Sequence, residues 1–74
     1  MFSLVHAGQT KTAQAFDVFT RRGAFAGIVV ENYGRHTEVY FNMAATKGSK
    51  RKFAGVQDAL AFIEQRRVKK GWGV

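Results

Sequence analysis

The most decisive pattern in the chain lies between Ala24 and Met43. Ala24-Phe25-Ala26-Gly27-Ile28-Val29-Val30-Glu31-Asn32 is dense in β-branched and apolar residues, and Asn32-Tyr33-Gly34-Arg35 carries the residue types of a tight turn. From His36 the pattern has a period of two. Thr37, Val39, Phe41 and Met43 fall on one face, and His36, Glu38, Tyr40 and Asn42 on the other. Two such runs around a turn predict a β-hairpin over residues 24–43. Further on the period changes. Val56, Ala59, Leu60 and Ile63 recur at helical spacing with Phe62 beside them, which predicts a helix from about Val56 to Lys70 with that stripe against a sheet. Asp58 and Glu64 come early and Arg66, Arg67, Lys69 and Lys70 late, as the helix dipole favours. Gly71 is a natural stop.

The first third is less decided. Phe16-Asp17-Val18-Phe19-Thr20 has strand-forming residue types, with Gly23 closing a turn into the next strand. Ala13, Phe16 and Phe19 also fit helical spacing, with Thr10 or Thr12 as a cap. The strand is the favoured reading of residues 14–22, and the helix is its alternative. Residues 1–10 suggest a short strand or a mobile arm, Thr46-Lys47-Gly48-Ser49 a turn, Lys50-Arg51-Lys52-Phe53 a short edge strand, and residues 71–74 a flexible tail. The expected architecture is therefore α+β: a small antiparallel sheet of three or four strands, the 24–43 hairpin central, with one C-terminal helix across a face. That order of elements resembles the small sheet-plus-helix DNA-binding domains of the phage-integrase arm-binding kind.

Composition narrows the setting. The chain has 74 residues, enough for a single domain near the lower limit of a self-sufficient core. A partner subunit would help it to bury apolar faces, so a homodimer is expected slightly ahead of a monomer. No cysteine is present, which removes disulfides and cysteine-based zinc sites and suits a reducing compartment. No apolar run approaches the roughly 20 residues of a membrane span. The first residues lack the features of a signal peptide, so the expectation is a cytosolic protein.

Charge changes the picture most. Twelve Lys and Arg face five Asp and Glu, for a net charge of +7. Eight of the twelve fall in two runs: Lys47, Lys50, Arg51 and Lys52, then Arg66, Arg67, Lys69 and Lys70. Such a surface attracts polyanions from a distance and holds them in a salt-dependent way. In the first run, the Gly48 and Ser49 amides and the serine hydroxyl could bind phosphate oxygens beside Lys50, Arg51 and Lys52. The spacing is not that of a phosphate-binding nucleotide-hydrolase loop. Such a run also serves as a solvated turn that guards a strand edge. In the second run, Arg66 and Lys70 share a helical face one turn apart, and Arg67 continues the Leu60–Ile63 side with a snorkelling stem. Local dipole effects alone can account for cations there. Arg21, Arg22 and Arg35, at strand ends and turns, would extend a basic stripe toward base edges.

Three aromatic side chains are candidates for stacking or for anchoring a partner: Tyr33 at the hairpin tip, Tyr40, and Trp72 between glycines. The favoured reading of Trp72 is an indole folded back to cap the small core. Evidence for catalysis is thin. His36 and Glu38 share a strand face, as ordinary exposed residues do. The carboxylates Asp17, Glu31, Glu38, Asp58 and Glu64 show no paired spacing for acid–base work or for a metal. No catalytic residue, metal or cofactor is expected. The sequence thus points to a small basic nucleic-acid-binding module, DNA ahead of RNA, that is not an enzyme. Phosphate contacts would come from Lys47, Lys50, Arg51, Lys52, Arg66 and Lys70, and readout from Arg21, Arg22 or Arg35. The alternative is a phage- or plasmid-type inhibitor or adaptor that binds an acidic protein or a nucleic-acid-processing complex.

Overall fold

A computed structural model describes residues 2–41 and 52–74. These form β1 (Ser3–Gln9), β2 (Ala13–Phe19), β3 (Phe25–Asn32), β4 (Thr37–Tyr40) and α1 (Val56–Lys69). The strands make one antiparallel sheet in the order β1-β2-β3-β4, with α1 packed on one face, so the α+β expectation holds. Residues 13–19, where strand competed with helix, are β2. Phe16 and Phe19, which helical spacing would place together, point to opposite faces. Phe16 meets the His6 ring edge-on at 5.5 Å, and Phe19 meets Phe25 at 6.0 Å. Thr10 does cap amides, but in the β1–β2 turn: its hydroxyl oxygen accepts from Ala13 N at 3.1 Å and Thr12 N at 3.2 Å. The first segment is strand β1 rather than an arm. The fourth strand spans Thr37–Tyr40 of the predicted His36–Met43; Asn42 and Met43 lie outside the described residues, as does the Thr46–Ser49 turn.

Strand register sorts the side chains. Directly paired residues share a face, so His6, Phe16, Val29 and Val39 form one row and Leu4, Val18 and Gly27 the next. Helix α1 lies on this face. Its Ala59 and Ile63 are fully buried with Val18, Val29 and Val39, and Val56, Leu60, Phe62, Phe53 and Phe2 pack around them. Gly27 lies in this second row, beneath Ile63. Its φ is +155°, a conformation side chains seldom adopt, and a Cβ there would lie 3.2 Å from the Tyr40 carbonyl and 3.6 Å from Ile63 Cδ1. Next to it, the β2–β3 register shifts between Val18 and Phe19, which tucks Ala26 into the core.

The opposite face is left open. It carries the row Val5, Asp17, Ile28, Tyr40 and the row Gly8, Ala15, Val30, Glu38. The two edges of the sheet differ. At β4, Thr37 and Phe53 exchange both backbone hydrogen bonds (2.8 and 2.9 Å), a bridge at the last residue of the predicted edge strand. Lys50 and Arg51 of that predicted strand lie outside the described residues. Strand β1, at the other edge, is exposed along its whole length.

Candidate nucleic-acid interface

Chain direction decides which cations meet. Helix α1 starts just after the Thr37–Phe53 bridge and runs back along the sheet, so its basic last turn arrives at the β2–β3 turn. That turn is built on Thr20, which is almost fully buried. Its backbone N–H donates to Ala24 O at 2.8 Å, its carbonyl accepts from Gly23 N at 2.9 Å, and its hydroxyl accepts from Ala24 N at 3.1 Å. With Thr20 holding the loop, Arg21 and Arg22 are left projecting and exposed. A cleft of about 550 Å³ opens there, with Arg21, Arg22 and Thr20 on one wall and Arg67 and Gly73 on the other.

The far wall is assembled by the end of the helix. Gly71 adopts φ +74°, its N–H donates to Val68 O at 3.1 Å, and the Trp72 N–H donates to Arg67 O at 2.8 Å. This is a Schellman closure, the stop expected of Gly71. The turn reverses the chain, and Arg67 Nε then donates to the Gly73 carbonyl at 2.6 Å, tying the tail to the helix. Trp72 therefore does not cap the core. It is 48% exposed, and its ring lies among cations: Lys70 Nζ at 5.3 Å, and the Arg67 and Arg66 guanidinium carbons at 5.5 and 5.8 Å. Each such contact is worth about 0.5–1 kcal/mol when exposed. The reversed turn puts the indole over the last helical turn, away from Ile63.

Arg66 is held from below. Its guanidinium carbon sits 4.0 Å from the centre of the Phe41 ring, Phe41 leans on Phe62 at 6.1 Å, and Phe62 on Phe53 at 5.2 Å. An aromatic column thus leads from the sheet edge to the basic helix end. Phe41 did not figure among the candidate residues, because nothing local links it to an arginine so much later in the chain. Among the described residues no Lys or Arg side chain is paired with a carboxylate; the one contact of that kind is from an imidazole, His36 Nε2 to Glu38 Oε2 at 3.5 Å. Arg21 and Arg22 therefore face the cleft without a carboxylate partner, and Arg67, whose Nε is taken by Gly73 O, offers its terminal guanidinium N–H groups.

The remaining candidates fall elsewhere. Arg35 and Tyr33 occupy the β3–β4 turn, which is tied to the β1–β2 turn by Tyr33 N–H donating to Thr12 O at 2.9 Å. The eight residues of β3 separate that end from Arg21 and Arg22 by about 25 Å. Lys52 is exposed beside Phe53, at the start of the helix and away from its basic end. Lys47, Lys50 and Arg51 lie outside the described residues. Tyr40 belongs to a polar cluster on the open face. Glu38 Oε1 accepts from Asn32 Nδ2 at 3.2 Å and from the Tyr40 hydroxyl at 3.5 Å. Burial, then the Glu38 charge and this hydrogen bond, raise the Tyr40 pKa above the ordinary tyrosine value. Among the described residues no three His, Asp or Glu side chains converge on a point that could hold a metal, and no described helix is long and apolar enough to cross a membrane. In comparisons with protein-family models, curated proteins and solved structures, the chain matches none.

Proposed function

We propose that the chain is a nucleic-acid-binding module, DNA ahead of RNA, working in the cytosol as a binder or small regulator and not as an enzyme. The observation that carries this reading is the basic cleft between the β2–β3 turn and the helix end. Arg21, Arg22 and Arg67 line it without a carboxylate partner, and an exposed Trp72 sits among Arg66, Arg67 and Lys70 beside it. Phosphates fit the arginines, and an unpaired base fits the indole face. Lys47, Lys50, Arg51 and Lys52 add charge that steers a polyanion, and Arg35 would contact only a ligand long enough to span the sheet.

Fluorescence anisotropy with labelled duplex DNA, single-stranded DNA and RNA across a salt series tests it. With six phosphates neutralised, the log–log salt slope on duplex is about −5. The exposed pair Arg21→Gln/Arg22→Gln should flatten that slope by about 2. Trp72→Ala should weaken single strands more than duplex, since stacking needs an unpaired base. Binding lost at physiological salt for all three polymers would reduce the reading to net charge, and an unchanged slope in the double variant would remove the cleft from the interface.

The second reading is an adaptor or inhibitor docked on an acidic protein. It is favoured by the exposure of Tyr33 and Trp72, at 41% and 48%, which suits aromatic anchors. Under it, Trp72→Ala abolishes capture of the protein partner and leaves any weak DNA affinity intact.

A further inference from the structure

We propose that β1 is the contact between two copies of this chain, paired antiparallel about a two-fold axis through Val5 to make one eight-stranded sheet. The starting point is the unequal treatment of the two edges. Strand β4 is short, bridged by Phe53 and flanked by α1. Strand β1 runs for seven residues, all exposed, and among the described residues it is hydrogen-bonded on one side alone. It carries no lysine, no proline and no inward-pointing charge; the one edge-protecting feature it has is the irregularity between His6 and Gly8, which leaves Ser3–His6 regular. Leu4 and Val5 are 40% and 51% exposed at its centre.

Charge selects the occupant. The chain carries +7, so two copies repel wherever their cationic surfaces meet. Among the described elements β1 is the one with no Asp, Glu, Lys or Arg, and the first charged side chain after it is Lys11. A second copy can approach there without opposing like charges. A polyanion gains nothing from that strand.

Geometry then sets the register. A two-fold axis perpendicular to the sheet requires each residue to pair across a fixed centre with side chains on matching faces. The β1–β2 register shifts between His6 and Gly8, so the strand is regular from Ser3 to His6, and a centre at Val5 keeps the flanking Leu4–His6 pairs within that stretch. Centring on Val5 places Val5 against Val5 on the open face and Leu4 against His6 of the other copy on the helix face. Both helices then lie on the same side of the joined sheet. An edge contact of this length buries less than the roughly 800 Å² per partner of a standard stable interface, so the dimer is concentration-dependent. The inference is independent of nucleic-acid binding, and its test uses no nucleic acid.

Sedimentation equilibrium of the full chain from micromolar to near-millimolar concentration should show mass rising from 8.3 kDa toward twice that value. Val5→Lys, which sets two ammonium groups against each other at the axis, should raise the dissociation constant at least about tenfold. Gln57→Lys adds the same charge on the exposed helix surface and should dimerise nearly as the parent does. Circular dichroism of each variant checks that it is folded. Because the chain has no cysteine, Val5→Cys offers a single thiol, and a short bis-maleimide should link its copies much faster than those of Gln57→Cys. A parent that stays at 8.3 kDa throughout, or equal linking of the two cysteine variants, overturns the proposal.

Discussion

The β3–β4–α1 half of this protein and its β1–β2 ribbon are built by different means. In the first, Val29 and Val39 on the sheet meet Ala59 and Ile63 on the helix, and all four are essentially inaccessible. In the second, β1 touches only β2, and among the described residues α1 does not reach it. The first half is held by apolar burial; of the second, Val18 on β2 and Phe2 ahead of β1 reach that core, and β1 itself depends on its pairing with β2. In a chain this small, a single buried side chain therefore weighs far more than an exposed one of the same size.

The sharpest way to expose that difference is to remove one side chain from each half. For 74 residues, total stability is of the order of 4–11 kcal/mol. Ile63→Ala should lower it by about 2–5 kcal/mol in urea unfolding, enough to unfold a chain at the weak end of that range. Leu4→Ala should remove less than about 1 kcal/mol, and equal losses would abolish the contrast. Gly27→Ala should fall between them at about 1–3 kcal/mol, since the φ of +155° and the 3.2 Å approach to the Tyr40 carbonyl both oppose a Cβ.

Native-state hydrogen exchange extends the comparison to the backbone. Amides of β3 should exchange only through global opening. Those of β1 should exchange through local fraying, at least about tenfold faster, at concentrations where the chain is monomeric. Uniform protection would mean that the ribbon is part of one cooperative unit. The smallest effect concerns Tyr40. Its folded-state pKa lies above the unfolded value, so the folded chain keeps the phenol proton where the unfolded chain has lost it. That contribution is complete below the ordinary tyrosine value of about 10 and is lost as pH rises through the folded pKa. Glu38→Gln should move the Tyr40 absorbance titration down toward the ordinary value and weaken this alkaline loss.

Much of the architecture was legible beforehand. The period of two in Thr37–Met43 places Thr37 and Val39 inward, and both are buried. The stripe Val56, Ala59, Leu60, Ile63 faces the sheet as its spacing requires. Strand β2 was harder, because Ala13, Phe16 and Phe19 satisfy both periods. Pairing with two neighbouring strands settles it, and pairing is not visible within one segment. The candidate site was legible as a list of cations and not as a place. Spacing along the helix puts Arg66 and Lys70 on one face, but nothing in it brings Arg67 to Arg21 and Arg22 or sends Arg35 to the far end of the sheet. Trp72 was misassigned for the same reason. A small core favours an aromatic cap, but the direction the chain takes after Gly71 decides where the indole goes.

By itself the sequence determined the two periodicities, the turn residues, the basic excess and the absence of cysteine, because each is a property of neighbours along the chain. Only the tertiary structure decided that the helix end meets the β2–β3 turn, that Phe41 supports Arg66, that Gly27 takes its φ of +155° beside the Tyr40 carbonyl, and that β1 is left as an open edge among the described residues. Those outcomes depend on strand order, register and the line of the helix across the sheet. They join residues far apart in sequence, and a contact of that kind is set by how the whole chain buries its apolar faces.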